Sequence, residues 1–405
     1  MDTCKTILFA GAYGIENAGD DLPLIVMCEQ LRKQHPHICF NFHVLSRHPN
    51  SWEEKTYGVK MIKNIEYENR DQAMGKWFNG LNPDDNHEPI CRIRQEIKKA
   101  DILILGAGNW LIDLSIDIFR GPIPLLALYV FLAKVYHKPV MLYGMSAGPL
   151  RTEWGRELTG WIIDNADIVT VRDKDSKHLL EDISHSPKTT HLLPDSTIGA
   201  QPCDPVIIEK ILDKEGIRFD GDKDKIAIGM RNLDGLLPSE ETGSFMDELA
   251  GCLNAHKDQA SYIFIPQSTY EFDDDRKTAK KFSELLDEDV QFYIIQNRYD
   301  PRELIGLYGI CDLTLSIRLH SAVFSAIAGT PVIAVNYLPK VAGFMDSIKL
   351  SDFCVNTDEF RKESILRLIK KIRAEKDLLS RRLKVQIKGQ KKRVTQYSDL
   401  VSDYF

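Results

Sequence analysis

Apolar, β-rich runs of four to eight residues recur along the whole chain, each closing on a polar or glycine-rich turn and followed by a stretch with helical periodicity. Strands buried on both faces need helices above and below them, so this alternation commits the chain to parallel α/β sheets. The first half supplies such runs at 6–10, 38–45, 102–105, 140–143, 168–171 and 191–193, and the second at 226–230, 262–265, 292–295, 313–317 and 332–335. Between the two sets lies 194–224, with three prolines and the charged turn Asp220-Gly221-Asp222-Lys223-Asp224, which puts a linker near 196–205.

The expected fold is therefore α/β, with two doubly wound Rossmann-like domains facing a cleft, the arrangement of the two-domain glycosyltransferase B class. The expected boundaries are 1–200, 201–360 and a basic helical segment, 361–405. A chain of 405 residues is long enough for two such cores. Its 43% apolar and 27% charged residues exclude wholesale disorder and a multispan membrane protein. The most apolar stretch, 123–135, falls short of the roughly 20 residues that span a bilayer and reads as a buried helix. Residues 48–100, with Trp52, Tyr57, Trp77 and Phe78 among polar residues and prolines, read either as an irregular insertion or as ordinary surface helices.

With 52 Lys+Arg against 59 Asp+Glu, the formal charge is -7, and nucleic acid is not an expected partner. The stretch 361–395 is the exception, carrying 14 Lys/Arg against three acids. Its apolar residues Ile365, Leu368, Ile369, Ile372, Leu378, Leu379 and Leu383 keep helical spacing. It reads either as a packed helix with a solvated basic face or as a segment attracted to an anionic membrane surface. Eight scattered cysteines without a CxxC predict neither zinc nor a disulfide framework, and free thiols fit a reducing compartment. Residues 1–5 run straight into the first strand, which predicts no secretion signal and a cytoplasmic location.

Open α/β sheets bind ligands beyond the carboxyl ends of their strands. The run 313–317 ends in Arg318-Leu319-His320 and a helix follows at once, so both side chains sit beside a helix N-terminus, which favours an anion. Lys340 follows the next run, Arg231 ends 226–230, and Gln267 ends 262–265. Several cations converging on one sheet edge suit a small, highly charged anion better than a neutral sugar. The plainer alternative is that Arg318 pairs with a carboxylate and His320 merely starts a helix; Arg231 and Lys340 in register weigh against it.

The first strand opens into Gly11-Ala12-Tyr13-Gly14-Ile15-Glu16-Asn17-Ala18-Gly19-Asp20-Asp21, whose spacing fits neither a dinucleotide loop nor a P-loop. Asn17, Asp20 and Asp21 either cap the helix that follows or turn a carboxylate toward a ligand as base or hydroxyl acceptor. The strand ends Gly106-Ala107-Gly108-Asn109, Gly144-Met145-Ser146-Ala147-Gly148-Pro149 and Arg172-Asp173 add small residues that admit a ligand or another backbone.

In this order, from about Thr6 to Met345, the segments resemble the polysaccharide pyruvyl transferase family. The opening loop, Gly11 to Asp21, is similar to the family's G-Y-[YW]-G-x-x-N-x-G-D-[ED], with Ala12 and Asp21 as variants. Gly106 to Asn109 is similar to its glycine-rich strand end, Gly144 to Pro149 to G-x-x-x-G-P, and Val171 to Ser176 to V-R-D-x-x-S. The most specific likeness is R-L-H-x-x-x-x-A-x-x-x-G-x-P-x-x-x-x-x-Y-x-x-K, present as Arg318 to Lys340. Met145-Ser146-Ala147 departs from the family's usual Gln-Gly-aliphatic.

The resemblance implies transfer of a pyruvyl group from phosphoenolpyruvate to two hydroxyls of a sugar, forming a cyclic ketal and releasing phosphate, in the making of a cell-surface polysaccharide. It implies His320 as general acid/base with Arg318 beside it, and Arg318, Lys340, Arg231 and Arg172 as holders of the donor's carboxylate and phosphate. The acceptor, a sugar or a lipid-linked oligosaccharide, would lie near Asn17, Asp20, Gly14 and Gly108. No metal and no cofactor beyond the co-substrate phosphoenolpyruvate is called for, and a homo-oligomer is compatible with the reading. Two rivals stand beside it: a nucleotide-sugar glycosyltransferase of the same fold, and a non-catalytic sugar-binding relative.

Overall fold

The computed structural model describes residues 4–68, 70–113, 121–186, 189–234 and 236–405. Residues 1–3, part of the run read for a leader, lie outside that set. The described strands form two wholly parallel sheets. The first holds β1 (Lys5–Ala10), β2 (Phe40–Ser46), β3 (Lys60–Lys63), β4 (Ile102–Leu111), β5 (Val140–Ala147), β6 (Ile168–Val171) and β7 (Thr190–Leu192), in the order β3-β2-β1-β4-β5-β6-β7. The second holds β8 (Asp224–Gly229), β9 (Ala260–Phe264), β10 (Phe292–Ile294), β11 (Leu313–Ser316), β12 (Val332–Asn336) and β13 (Cys354–Asn356), in the order β10-β9-β8-β11-β12-β13. Each sheet starts at its centre, winds outward one way and then the other. The reversal falls between β1 and β4 in one and between β8 and β11 in the other.

The central strands read as unbroken apolar runs because both faces are covered. Ile102 to Leu105 of β4 and Ile226 to Ile228 of β8 have no exposed surface. Burial of each large aliphatic side chain among them contributes about 1.5–3 kcal/mol. Helix Pro122–Val135 buries Ile123, Leu126, Tyr129 and Val130, yet leaves Phe131 and Val135 more than half exposed, so it is a core-facing helix rather than an enclosed one. No helix among the described residues is long and apolar enough to cross a membrane.

The chain forms two compact units, residues 1–15, 20–199 and 392–405 in one, and 16–19 and 200–391 in the other. The segment from 361 onward is thus not a unit of its own. Helix Lys362–Val394 lays Ile365, Ile369, Ile372, Leu379, Leu383 and Ile387 in a buried stripe, and as far as Lys391 it groups with the second unit. Beyond it Tyr397, fully buried, stacks edge-on against Tyr143 and donates its hydroxyl to the Pro194 carbonyl at 2.9 Å, inside the first unit.

Residues 48–100 are mostly regular. Asn50 caps helix Ser51–Tyr57, Gly58 ends it in the left-handed region, β3 follows, and helix Glu88–Lys99 leads back to β4. A second correction concerns the cysteines: Cys4 and Cys39 form a disulfide. Their separation of 35 residues carries no sequence signal; parallel pairing of Lys5 with Phe40 sets the preceding residues side by side. The other six cysteines are free.

Candidate active site

At the reversal point of the second sheet, Ser316 of β11 lies opposite Gly229 of β8, so the chains leaving these strands emerge together. Arg231 comes from β8 and Arg318 from β11. Arg318 occupies the N-cap position of helix Leu319–Ala328, in extended conformation, and only 7% of it is exposed. Its Nε donates to Asp275 Oδ1 at 3.0 Å and its Nη2 to Asp273 Oδ2 at 2.5 Å. Asp275 Oδ2 also accepts the backbone N–H groups of Gln267 (2.9 Å) and Ser268 (3.0 Å). The second oxygen of Asp273 faces Arg231 Nη2 at 3.8 Å. One carboxylate therefore stands between two arginines, and Arg318 Nη1 donates to nothing among the described residues.

Burial drives the Asp275 carboxyl up to about 6, against the opposing pull of Arg318 and the two backbone donors. Burial also works against the charge on Arg318, but Asp275 and Asp273 outweigh it and hold the guanidinium more firmly protonated than usual. Tyr337, just past β12, adds to that field. The two aspartates escaped sequence reasoning. The only local signal was the triplet Asp273-Asp274-Asp275 beyond β9, which also reads as a helix start, and Asp274 does cap helix Asp275–Ser283.

His320, half-buried, is the second residue of the Leu319–Ala328 helix. Its ring rests on Gly19: a Cβ placed there would lie 2.0 Å from His320 Nδ1. Gly19 is held in place by its neighbours, since Asn17 forms an antiparallel bridge with Ser268, and Ala18 N–H donates to the Gln267 carbonyl at 2.8 Å. Thr269 returns two bonds to Glu16, N–H to carbonyl and hydroxyl to Oε2, both at 3.0 Å. Gly19→Ala is accordingly expected to push the imidazole aside and lower turnover by about 100-fold, the usual penalty of an ångström-scale misplacement, with little change in donor affinity. Turnover within twofold of wild type would show that the ring's position is unimportant.

Lys340 is half-buried in the first turn of helix Pro339–Ser347, which leaves β12, the neighbour of β11. Arg231, Arg318, His320 and Lys340 thus stand at three successive strand ends of one sheet. Gln267 does not join them: it is buried and donates Nε2 to the Tyr308 hydroxyl at 3.1 Å.

In the first unit, Gly14 adopts positive φ (74°) and its N–H donates to Asp21 Oδ1 at 2.8 Å, so buried Asp21 organises the loop. Asp20, in the first turn of helix Ala18–Gln34, lies close to Gly108, where a Cβ would come 3.7 Å from Asp20 Oδ1. Asn17 groups instead with the second unit, and its Oδ1 accepts the Gly19 N–H at 3.1 Å. Arg172 also differs from its expected role. It belongs to the first unit, donates to Asp195 at 2.7 Å and Ser146 at 2.8 Å, and both members of the ion pair are only 9% exposed. Its guanidinium ties the ends of β5 and β6 to the turn after β7. Among the described residues, no group of three or more His, Cys, Asp or Glu is placed to hold a metal ion.

Comparison with known proteins places the chain in a family. The profile of the family described as Polysaccharide pyruvyl transferase matches residues 17–339, which take in Arg231, Arg318 and His320 and stop one residue short of Lys340. The amylovoran biosynthesis protein AmsJ of Erwinia amylovora is 23% identical over 296 residues, covering 69% of this chain and 67% of that protein. Among solved structures, HepE of Anabaena, in complex with UDP and glucose, has a TM-score of 0.61 at 12% identity over 98% of both chains. The UDP-GlcNAc 2-epimerase of Neisseria meningitidis has a TM-score of 0.57 at 12% identity, over 98% of this chain and 99% of that one. At such identities the likeness is one of fold, two Rossmann-like domains of the glycosyltransferase B type. Family profile and motif order together establish that this chain belongs to the polysaccharide pyruvyl transferase family.

Proposed function

We propose that the protein transfers the pyruvyl group of phosphoenolpyruvate to two hydroxyls of a sugar in a polysaccharide precursor. The observation that carries this reading is the pair Arg231 and Arg318 at the reversal point of the second sheet, linked through Asp273 and flanked by His320. Phosphoenolpyruvate offers a carboxylate and a phosphate a few ångströms apart, groups that guanidinium forks recognise; Asp273 and Asp275 offset part of the charge of Arg231 and Arg318, and Lys340 adds a third cation. Protonated His320 gives its proton to the methylene carbon, and C2 acquires oxocarbenium character that the first sugar hydroxyl attacks, losing its own proton to the imidazole. The C2–O bond to phosphate then breaks, and the second hydroxyl closes the ketal, its proton leaving with the phosphate. Arg231, Arg318 and Lys340 stabilise the charge that collects on the departing phosphate. Asp20, beside Gly108, is a candidate contact for an acceptor hydroxyl.

The test is thermal unfolding of the purified protein with phosphoenolpyruvate and, separately, with a panel of nucleotide-sugars. A donor present at 100 times its dissociation constant stabilises the fold by about 2.7 kcal/mol, so the expected result is a clear upward shift with phosphoenolpyruvate. The shift should vanish in Arg231→Ala. A shift with a nucleotide-sugar alone would overturn the proposal in favour of a glycosyltransferase.

A further inference from the structure

We infer that the outer face of helix Lys362–Val394 docks flat on an anionic membrane surface. This goes beyond the transfer chemistry and does not depend on it. The helix is long, but its two sides differ. The inner side carries the buried apolar stripe, and cations near that side are matched by the body of the second unit, with Lys376 paired to Asp312 and Arg373 to Asp224. The outer side is another matter. Lys371, Ala374, Leu378, Arg381, Val385 and Lys388 follow one another at alternating steps of three and four, and all are exposed, although Lys371 at the near end lays its Nζ over the Phe353 ring at 5.0 Å. At 3.5 residues per repeat such positions line a single face about 25 Å long, at 1.5 Å rise per residue. Arg382 flanks the same stripe. Arg381, Arg382 and Lys388 form no ion pair among the described residues, and the Arg381 guanidinium reaches only the Asp377 carbonyl of its own helix.

The chemistry of the stripe selects the partner. The face is strongly basic on a chain whose formal charge is -7, so it is complementary to an anionic surface rather than a product of overall composition. Leu378 is 42% exposed and Val385 68%, seated between the cations. Alkyl groups at that spacing gain nothing from a nucleic-acid backbone but gain burial at the boundary between headgroups and acyl chains, where basic amphipathic helices lie parallel to the membrane. A second copy of the chain is a poor occupant, because two such faces would set cation against cation.

The experiment is co-sedimentation of the full chain with vesicles of phosphatidylcholine alone and of phosphatidylcholine mixed with phosphatidylglycerol, at low and high salt. The wild type is expected to bind the anionic vesicles, weakly at high salt, and to ignore the neutral ones. A juxtamembrane cation contributes roughly a factor of five in partition, so losing three of them in the triple reversal Arg381→Glu, Arg382→Glu, Lys388→Glu is expected to weaken binding by at least about a hundredfold. Leu378→Ser with Val385→Ser is expected to bind several-fold less while keeping the salt dependence. These positions are exposed, and unchanged unfolding midpoints would show the variants folded. Equal binding to both vesicle types, or a triple reversal that binds like wild type, overturns the proposal. Wild-type binding by the Leu378→Ser, Val385→Ser variant, together with equally tight binding of duplex DNA by both proteins, would replace the membrane with a polyanion.

Discussion

Arg318→Ala is expected to abolish donor-dependent stabilisation and to lower intrinsic stability at the same time. The side chain is the buried tie between two carboxylates, and removing it leaves Asp275, 1% exposed, facing only the N–H groups of Gln267 and Ser268. Removing one partner of a buried ion pair typically costs about 3–5 kcal/mol. The loss has a pH signature. In the wild type the Asp275 carboxyl titrates at about 6; without Arg318 the strongest pull toward ionisation is gone and its folded-state value rises further. Above pH 6 the variant's native state then holds a proton that its unfolded state does not, so its stability falls as pH rises while the wild-type contribution stays flat. Urea unfolding should show a deficit that widens from pH 6 to pH 8. Arg318→Lys keeps a charge but cannot span both carboxylates, and should fall between the two in stability while still losing the donor. An Arg318→Ala protein as stable as wild type at pH 8 would show that the tie contributes nothing.

The second large effect belongs to His320. His320→Gln is expected to lower turnover by about 10²–10⁴-fold, the range for loss of a general acid/base, measured as phosphate release with a sugar acceptor that supports turnover. The residue is only half-buried and outside the Arg231, Asp273, Arg318 and Asp275 chain, so the unfolding midpoint and the shift given by phosphoenolpyruvate should remain. Turnover equal to wild type would take proton transfer away from His320. The two variants separate binding from chemistry, since one should lose the donor and the other should keep it idle.

What could be read from the sequence, and what could not, divides along a physical line. Interior strands such as β4 and β8 are covered on both faces and announce themselves as apolar runs. Two of the four edge strands, β3 with Lys60 and Lys63 and β13 with Asn356, are short and polar and lack that mark, whereas the edges β7 and β10 keep enough apolar residues to be read. Residues at strand ends were legible because sheet order follows from winding, which sets Arg231 beside Arg318 without knowledge of any contact. Their counter-charges were not, because Asp273 and Asp275 reach Arg318 across 45 and 43 residues, and nothing local says which carboxylate folds inward. The same limit hid the Cys4–Cys39 bond and made Arg172 look like a ligand holder, although a buried Asp195 claims it.

The four residues 16–19 bear on whether this enzyme can be taken apart. They are separated by 180 positions of chain from the unit they complete, so that unit has no contiguous gene segment. A fragment spanning 200–391 would carry Arg231, Arg318, His320 and Lys340, yet lack Gly19, against which the imidazole rests, and the bridge from Asn17 to Ser268 that secures it. Exchange of the carboxyl-terminal half between relatives would therefore be expected to deliver Arg231 and Arg318 intact and His320 out of register, unless the opening loop travels with it.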